Sequence, residues 1–483
     1  MDFRVIAHYL GKIALVCGAA LLAPIFTSAF FGDEALISFI LSFGICVFIT
    51  CAGWRAGGAA RGGITSREGL AITGLAWIMT AFFGMLPYTL GEHLSPVDGL
   101  FESVSGFTGF GATVIASPEI MPESLLLWRS LTQWLGGLGI VVFFITLLPQ
   151  SGQSAVYLYQ AESSGPVEDR LRPRVKEITG ALVSIYAGIT ALAAVTFYIC
   201  GMTPFDALNH ALTTIGTGGF STHSDSVMHY DSAAVEMAMT FFILVSGGSF
   251  ALYYRIYARG IGEIAKNTEF KAYILIFVLG TAALSLDLWK NGIYSVTEAL
   301  RFAAFQTASV STTGFASADY DRWPSFAKCL LLFLMMIGGC AGSTAAGLKV
   351  TRAVLLFRTV TDHLRRRFHP RAMASVKLNG AAVPQSVLLR VGLFFLIYLF
   401  FILLSSALIM FEGVTMFDAI GMSVSAVSTV GPAYGVVGPT MTYAPLSPLV
   451  KLTLCVVTLL GRLEFFTLLV MMRPGFWRTE HGW

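Results

Sequence analysis

SPVDGLFESVSGFTGFG (95–111) lies between two long apolar runs, and its pattern returns three more times along the chain. The other copies are TPFDALNHALTTIGTGGF (203–220), SVTEALRFAAFQTASVSTTGF (295–315) and TMFDAIGMSVSAVSTVGP (415–432). In three of the four an acidic residue precedes a late glycine by thirteen positions: Asp98 and Gly111, Asp206 and Gly219, Asp418 and Gly431. In the third copy Arg301 stands thirteen before Gly314, and Glu298 lies three residues further upstream. A helix of about ten residues spans about 15 Å, half of a hydrocarbon core of about 30 Å. Each copy therefore reads as a half-membrane helix followed by an extended Thr/Ser/Gly strand that turns back toward one face. Four such re-entrant loops about one axis make an ion pore.

The surrounding composition agrees. Of 483 residues 55% are hydrophobic and only 12% are charged, against about 25% charged in soluble domains. The chain is expected to be an all-α polytopic membrane protein, since helices satisfy their own backbone polar groups in lipid. Two spans come first (4–31 and 35–54), then four units of span, re-entrant loop and span. First spans are expected at 68–92, 176–200, 270–289 and 386–411, and second spans at 123–149, 232–258, 324–348 and 446–472. The corresponding domains are 1–62, 63–160, 161–262, 263–375 and 376–483. A unit with two crossings and one loop that does not cross begins and ends on the same side. The four units are thus parallel, related by an axis along the membrane normal, unlike the inverted repeats of many carriers.

Charge sets the orientation. Basic residues gather in alternate connections: Arg55, Arg61 and Arg67; Arg170, Arg172, Arg174 and Lys176; Arg255, Arg259, Lys266 and Lys271. The strongest run is Lys349, Arg352, Arg358, Arg365, Arg366, Arg367, Arg371 and Lys377. The other connections carry Asp33, Glu34, Glu92, Asp225, Asp231, Asp319 and Asp321. The positive-inside rule puts the basic set, and both termini, in the cytoplasm. All four loops then enter from outside. Topology accounts for the basic run without a nucleic-acid partner.

A dehydrated cation needs oxygen ligands from several directions, and backbone carbonyls of an extended strand supply them where glycine permits the dihedrals. The candidate strands are Gly109-Phe110-Gly111, Thr217-Gly218-Gly219, Thr312-Thr313-Gly314 and Thr429-Val430-Gly431. Ser428-Thr429-Val430-Gly431 approaches the opening of the TVGYG filter of potassium channels. Each half-helix also turns about −0.5 charge at its C-terminal end toward the pore, and an acid near its other end suits the opposite pole.

The third unit's second span contains Gly338, Gly339, Cys340, Ala341, Gly342, Ser343, Thr344, Ala345, Ala346 and Gly347 in unbroken succession. Such a run holds a helix poorly and is expected to break in mid-membrane, where only a cavity lining tolerates it. That makes 338–347 a candidate gate. Arg462, in the last span, costs at least about 2.5–3.5 kcal/mol at the bilayer centre unless partnered. It either pairs with Glu464 or another acid, or touches the glycine-rich loop. Lys349 is placed at the cytoplasmic end of a span, and His210 reads as a packed, hydrogen-bonded histidine. Seven cysteines show no CxxC or metal spacing and read as small hydrophobes. The segment 342–349 lacks the Lys-Ser/Thr register of a P-loop, 136–139 lacks the third glycine of a dinucleotide fingerprint, and no HExxH occurs. An enzyme is not expected.

Five stretches carry a family resemblance over essentially the whole chain: Ser66-Arg67-Glu68-Gly69; Gln133-Trp134-Leu135-Gly136-Gly137-Leu138-Gly139; Gly218-Gly219-Phe220-Ser221-Thr222-His223; 338–344; and Gly461-Arg462-Leu463-Glu464. In these the sequence resembles the TrkH family, membrane subunits of Trk-type potassium uptake systems in the wider Trk/Ktr/HKT superfamily. The extra N-terminal pair of spans is similar to TrkH rather than to the shorter KtrB. The resemblance implies K+ as transported ion with no organic cofactor, a homodimer with one pore per subunit, the bacterial inner membrane, and a cytosolic nucleotide-binding regulatory ring similar to TrkA. It implies the filter at the four strands above, and a gate formed by Gly338, Gly339, Gly342, Ser343, Thr344, Gly347 and Arg462. Glycine at Gly111 matches potassium-selective members, whereas serine there goes with sodium transport in some plant relatives. Two features depart from the family pattern: Ala345 and Ala346 replace glycines of the loop, and Gly109-Phe110 replaces a small polar pair. The expectation is a gated potassium pathway; the alternative is a K+/H+ or K+/Na+ symporter.

Overall fold

The computed structural model describes residues 1–57, 65–147, 171–369 and 375–477. The boundaries expected at 62/63 and 160/161, with Arg61, Arg170 and Arg371, lie outside the described residues. Two apolar helices come first, α1 (Phe3–Phe31) and α2 (Leu36–Gly57). They cross so closely at Gly11 and Gly53 that a Cβ on Gly53 would lie 2.9 Å from the Gly11 Cα.

The four units follow in order. The first is α3 (Ser66–Leu90), α4 (Pro96–Thr108) and α5 (Glu123–Leu147). The second is α6 (Leu171–Ile199), α7 (Pro204–Ile215), α8 (Ala233–Gly247) and α9 (Phe250–Arg259), followed by the short α10 (Gly262–Lys266). The third is α11 (Thr268–Lys290), α12 (Val296–Thr312), α13 (Ser325–Met336) and α14 (Val350–Phe368). A small antiparallel hairpin, β1 (Lys377–Leu378) with β2 (Ala381–Ala382), precedes the fourth unit: α15 (Gln385–Phe411), α16 (Met416–Ser428), α17 (Pro448–Arg462) and α18 (Phe466–Met471). The described chain closes with α19 (Pro474–Trp477). Among the described residues, α1, α2, α3 (over Arg67–Leu90), α6 (over Ile178–Ile199), α11 and α15 are long and apolar enough to cross a membrane. Their outer faces present side chains such as Phe26, Phe48, Leu192, Leu403 and Phe411, as lipid contact requires.

Local chemistry starts each half-helix. Ser95, Thr203, Ser295 and Thr415 sit in extended conformation, and each hydroxyl accepts the N–H of the residue three positions on: Asp98, Asp206, Glu298 and Asp418. This satisfies an orphan amide and puts a carboxylate at the positive end of the helix. The third copy is thereby explained. Nineteen residues separate Ser295 from Gly314, against sixteen between cap and glycine in the other copies. Accordingly α12 runs 17 residues, while α4, α7 and α16 run 13, 12 and 13. The acid follows the cap, not the glycine; Glu298 is the counterpart of the three aspartates, and Arg301 lies on the added turn.

Two second spans differ from expectation. The one expected at 232–258 is broken between α8 and α9, which meet at 88° around Gly248-Ser249. The one expected at 446–472 ends at Arg462, where Glu464 and Phe465 take φ of 57° and 58° before α18 begins. The third unit breaks where its glycines predict, between Met336 and Val350.

Candidate functional site

At the inner end of each half-helix the chain turns by the same hydrogen bond. The N–H groups of Phe110, Gly218, Gly314 and Val430 each donate at 2.9 Å to the carbonyl five residues back, on Ser105, Thr213, Ser309 and Ser425. Hydroxyls hold three of the emerging strands: Ser105 donates to the Ala112 carbonyl at 2.5 Å, Ser309 to that of Phe315 at 2.6 Å, and Ser425 to that of Gly431 at 2.8 Å. In the second unit the Thr213 hydroxyl instead turns back to Asn209. The last residue of each triplet is a glycine with positive φ: 77° at Gly111, 79° at Gly219, 91° at Gly314 and 108° at Gly431. Thr217 and Thr429 take φ of 53° and 54°.

The four strands close into a ring. A Cβ added to Gly111 would strike the Gly218 carbonyl oxygen, one on Gly219 that of Thr313, and one on Gly314 that of Val430. One on Gly431 would come within 2.7 Å of the Phe110 oxygen. Each glycine thus abuts the middle carbonyl of the next strand, in the order one, two, three, four and back to one. Phe110 is buried against Phe101 and Tyr443, which is how a phenylalanine fits where a small residue was expected. Thr217, Thr313, Thr429 and Val430 are also buried, and Thr312 belongs to the last turn of α12. The cavity above is lined by the last glycines of three strands, Gly111, Gly219 and Gly314, by Pro432, which follows the fourth, and by Arg129 and His223.

A buried ion pair behind the ring escaped the sequence reading. Arg129 donates to Glu102 at 2.8 Å, to the Ser221 carbonyl at 3.2 Å and to the Thr113 hydroxyl at 3.1 Å. Glu102 also accepts the Val114 amide. An arginine in a span and a glutamate in a half-helix were the available signals, but nothing local said that they meet. Further pairs tie neighbouring units: Lys451 to Asp98 at 2.6 Å, and Arg301 to Glu236 at 2.7 Å. His210 is packed as expected, with Nδ1 against the Asp206 carbonyl and Nε2 against Ser221 Oγ. At the outer end of α7, burial pushes the Asp206 carboxyl up, yet His223, Thr222 and Thr203 together hold it below the usual carboxylate range.

The loop 338–347 lies at the opposite side of the ring. Its ends are joined by hydrogen bonds from Gly338 N to Leu348 O at 3.0 Å and from Leu348 N to Met336 O at 3.2 Å. Thr344 Oγ1 donates to the Ile215 carbonyl, at the end of α7, at 3.1 Å. A Cβ on Gly347 would touch Ser428, at the end of α16. The loop therefore reaches the inner ends of two non-adjacent half-helices. It also exchanges backbone bonds with the break in the second unit, Cys340 N to Gly247 O at 2.8 Å and Phe250 N to Gly342 O at 3.1 Å. Gly339 and Ser343 are packed inside it, and a Cβ on Gly339 would lie 2.8 Å from the Ser343 hydroxyl.

Two expectations about cations are resolved here. Arg462 does not pair with Glu464, which binds Arg352 at 2.6 Å. Instead Arg462 Nη1 donates to the Thr344 carbonyl at 2.6 Å and Nη2 to that of Gly136 at 3.2 Å. Lys349 is not at a wet helix end: it is buried, and its ammonium donates to the Ala345 carbonyl. The loop brings its two ends together, with Ile337 and Leu348 paired in parallel, so the lysine lies beside the loop.

Fold and site together define a polytopic helical membrane protein whose four half-helices meet at a ring of backbone carbonyls. Residues 38–478 match the family model TrkH, described as cation transport protein. Over 99% of its length the chain is 36% identical to the Trk system potassium uptake protein TrkH of Vibrio parahaemolyticus, all of which is covered. It is 35% identical over the same share to the TrkH of Escherichia coli K12, again covered in full. The crystal structure of the Vibrio parahaemolyticus potassium transporter TrkH superposes with a TM-score of 0.91 at 34% identity, covering 99% of this chain and 100% of that one. The chain belongs to the TrkH family.

Proposed function

We propose that this chain carries K+ across the bacterial inner membrane through the ring of carbonyls formed by Gly109, Phe110, Gly111, Thr217, Gly218, Gly219, Thr312, Thr313, Gly314, Thr429, Val430 and Gly431. The observation that carries the reading is the cyclic packing of four positive-φ glycines on four neighbouring carbonyls. A closed ring of backbone oxygens at the negative ends of four half-helices suits a dehydrated monovalent cation. The relatives' names as potassium uptake proteins support K+ as that cation. No coupling ion is needed for accumulation: about 100 mV is worth about 2.3 kcal/mol per charge, nearly fifty-fold for a monovalent cation.

The loop 338–347 is the gate in this reading, with Gly338, Gly339, Gly342, Ser343, Thr344 and Gly347 crossing beneath the ring and Arg462 fastening Thr344. Control comes from a cytosolic nucleotide-binding subunit resembling TrkA, with the chain itself a homodimer whose termini face the cytoplasm. The docking surface is α14, which leaves the gate directly and exposes Phe357, Leu364 and Phe368 beside Arg365 and Arg367.

Purified protein in vesicles under a potassium gradient tests the proposal. Currents should reverse at the potassium potential; reversal elsewhere indicates coupling to a second ion, and absence of potassium flux leaves only a membrane scaffold.

A further inference from the structure

The loop 338–347 is also held by a carboxylate. Glu269 stands in the first turn of α11 and is buried. Its Oε1 accepts the amide of Ala341, inside the loop, at 2.6 Å, and the amide of Thr351, in the first turn of α14, at 3.1 Å. One oxygen atom thus joins the loop to the helix that resumes beyond it. Elsewhere along the loop, Arg462 and Lys349 hold the carbonyls of Thr344 and Ala345. Two bases grip loop carbonyls while one acid grips a loop amide.

We propose that Glu269 is a positioning residue of the gate, holding 338–347 across the pathway through the Ala341 amide. The proposal rests on the gate reading above. Glu269 touches no ion; it acts by giving the half-buried Ala341 amide a partner that it loses when the loop swings away. Thr351 belongs to α14, so its bond keeps the carboxylate in place while the Ala341 bond opens and closes. A hydrogen bond to a charged acceptor is worth more than one between neutral groups, so removing the side chain takes from the closed position a contact that the open position does not make.

The test is potassium flux through the full-length chain in vesicles without any cytosolic partner. Glu269→Ala should raise that flux roughly tenfold, the factor equivalent to ~1.4 kcal/mol. Glu269→Gln, whose amide oxygen still accepts both N–H groups, should stay within about twofold of the parent. A merely structural role predicts lower flux in both. A variant shortened within 338–347 separates the two ideas. If it conducts more and Glu269→Ala does not, the assignment of Glu269 is overturned and the gate stands; if neither conducts more, both fall. Should the alanine variant fail to insert, Glu269→Asp, one methylene too short to reach both amides, replaces it. The readout is then modification of Cys340, a buried free thiol of the loop, by a small methanethiosulfonate reagent. Faster modification than in the parent supports the proposal, and an equal rate overturns it.

Discussion

Gly314 lies so close to Val430 that a single methyl on its Cα would overlap the Val430 carbonyl oxygen, and its φ of 91° is one that side chains rarely adopt. The same relation recurs three times around the axis. Crowding of this kind makes the carbonyls a rigid set, since none can rotate without meeting the preceding strand's glycine. It also makes the glycines irreplaceable for two independent reasons, sterics and dihedral.

Gly314→Ala should therefore abolish potassium flux while leaving membrane insertion intact. A left-handed conformation costs a residue with a side chain about 1–2 kcal/mol, and the displaced Val430 carbonyl adds to that. Flux in vesicles, alongside yield and size-exclusion profile, is the measurement. Normal flux would remove Gly314 from the ion path.

Gly111→Ser should admit sodium more readily. The added side chain must push the Gly218 oxygen, widening one side of the ring and weakening discrimination by size. Reversal potentials in mixed potassium and sodium solutions report the ratio; an unchanged ratio contradicts the role given to this position.

Arg462→Ala should raise basal flux, because it removes the donor to Thr344 at 2.6 Å. Arg462→Lys can keep one of the two carbonyl contacts and should fall between. Measured without any cytosolic partner, equal flux in all three forms would leave Arg462 as packing alone.

Glu102→Ala should destabilise the fold by about 3–5 kcal/mol, since it strands a buried guanidinium. Both side chains of the Glu102–Arg129 pair are almost fully buried. Pairing the change with Arg129→Met should recover part of the loss. Thermal unfolding in detergent checks this, and a single-variant melting point equal to the parent's would show the pair to be dispensable.

Neutralising Arg365, Arg366 and Arg367 together should abolish response to a nucleotide-binding cytosolic subunit without altering topology. Co-purification and nucleotide-dependent flux decide it. Intact regulation would assign these arginines to anionic lipid headgroups.

What could be read without coordinates was whatever depends on a few neighbouring residues. Ser95, Thr203, Ser295 and Thr415 with acids three positions on start half-helices by side-chain capping within one turn. Late glycines at Gly111, Gly219, Gly314 and Gly431 mark backbone that needs positive φ. Ten small residues after Ile337 mark a break. Apolar length marks the spans.

Only the tertiary structure decided which of these parts meet. The ring order depends on how four separate half-helices pack, and no local rule links Gly314 to Val430, more than a hundred residues away. The break at Gly248-Ser249 is stabilised by backbone bonds to Cys340 and Gly342, so its cause lies in another unit. Arg462 chose the Thr344 carbonyl over Glu464, two residues away, because Glu464 leaves in a left-handed turn and binds Arg352. Buried charges in this chain take the partners that close packing brings within reach, and which groups come within reach is set by the assembled helices.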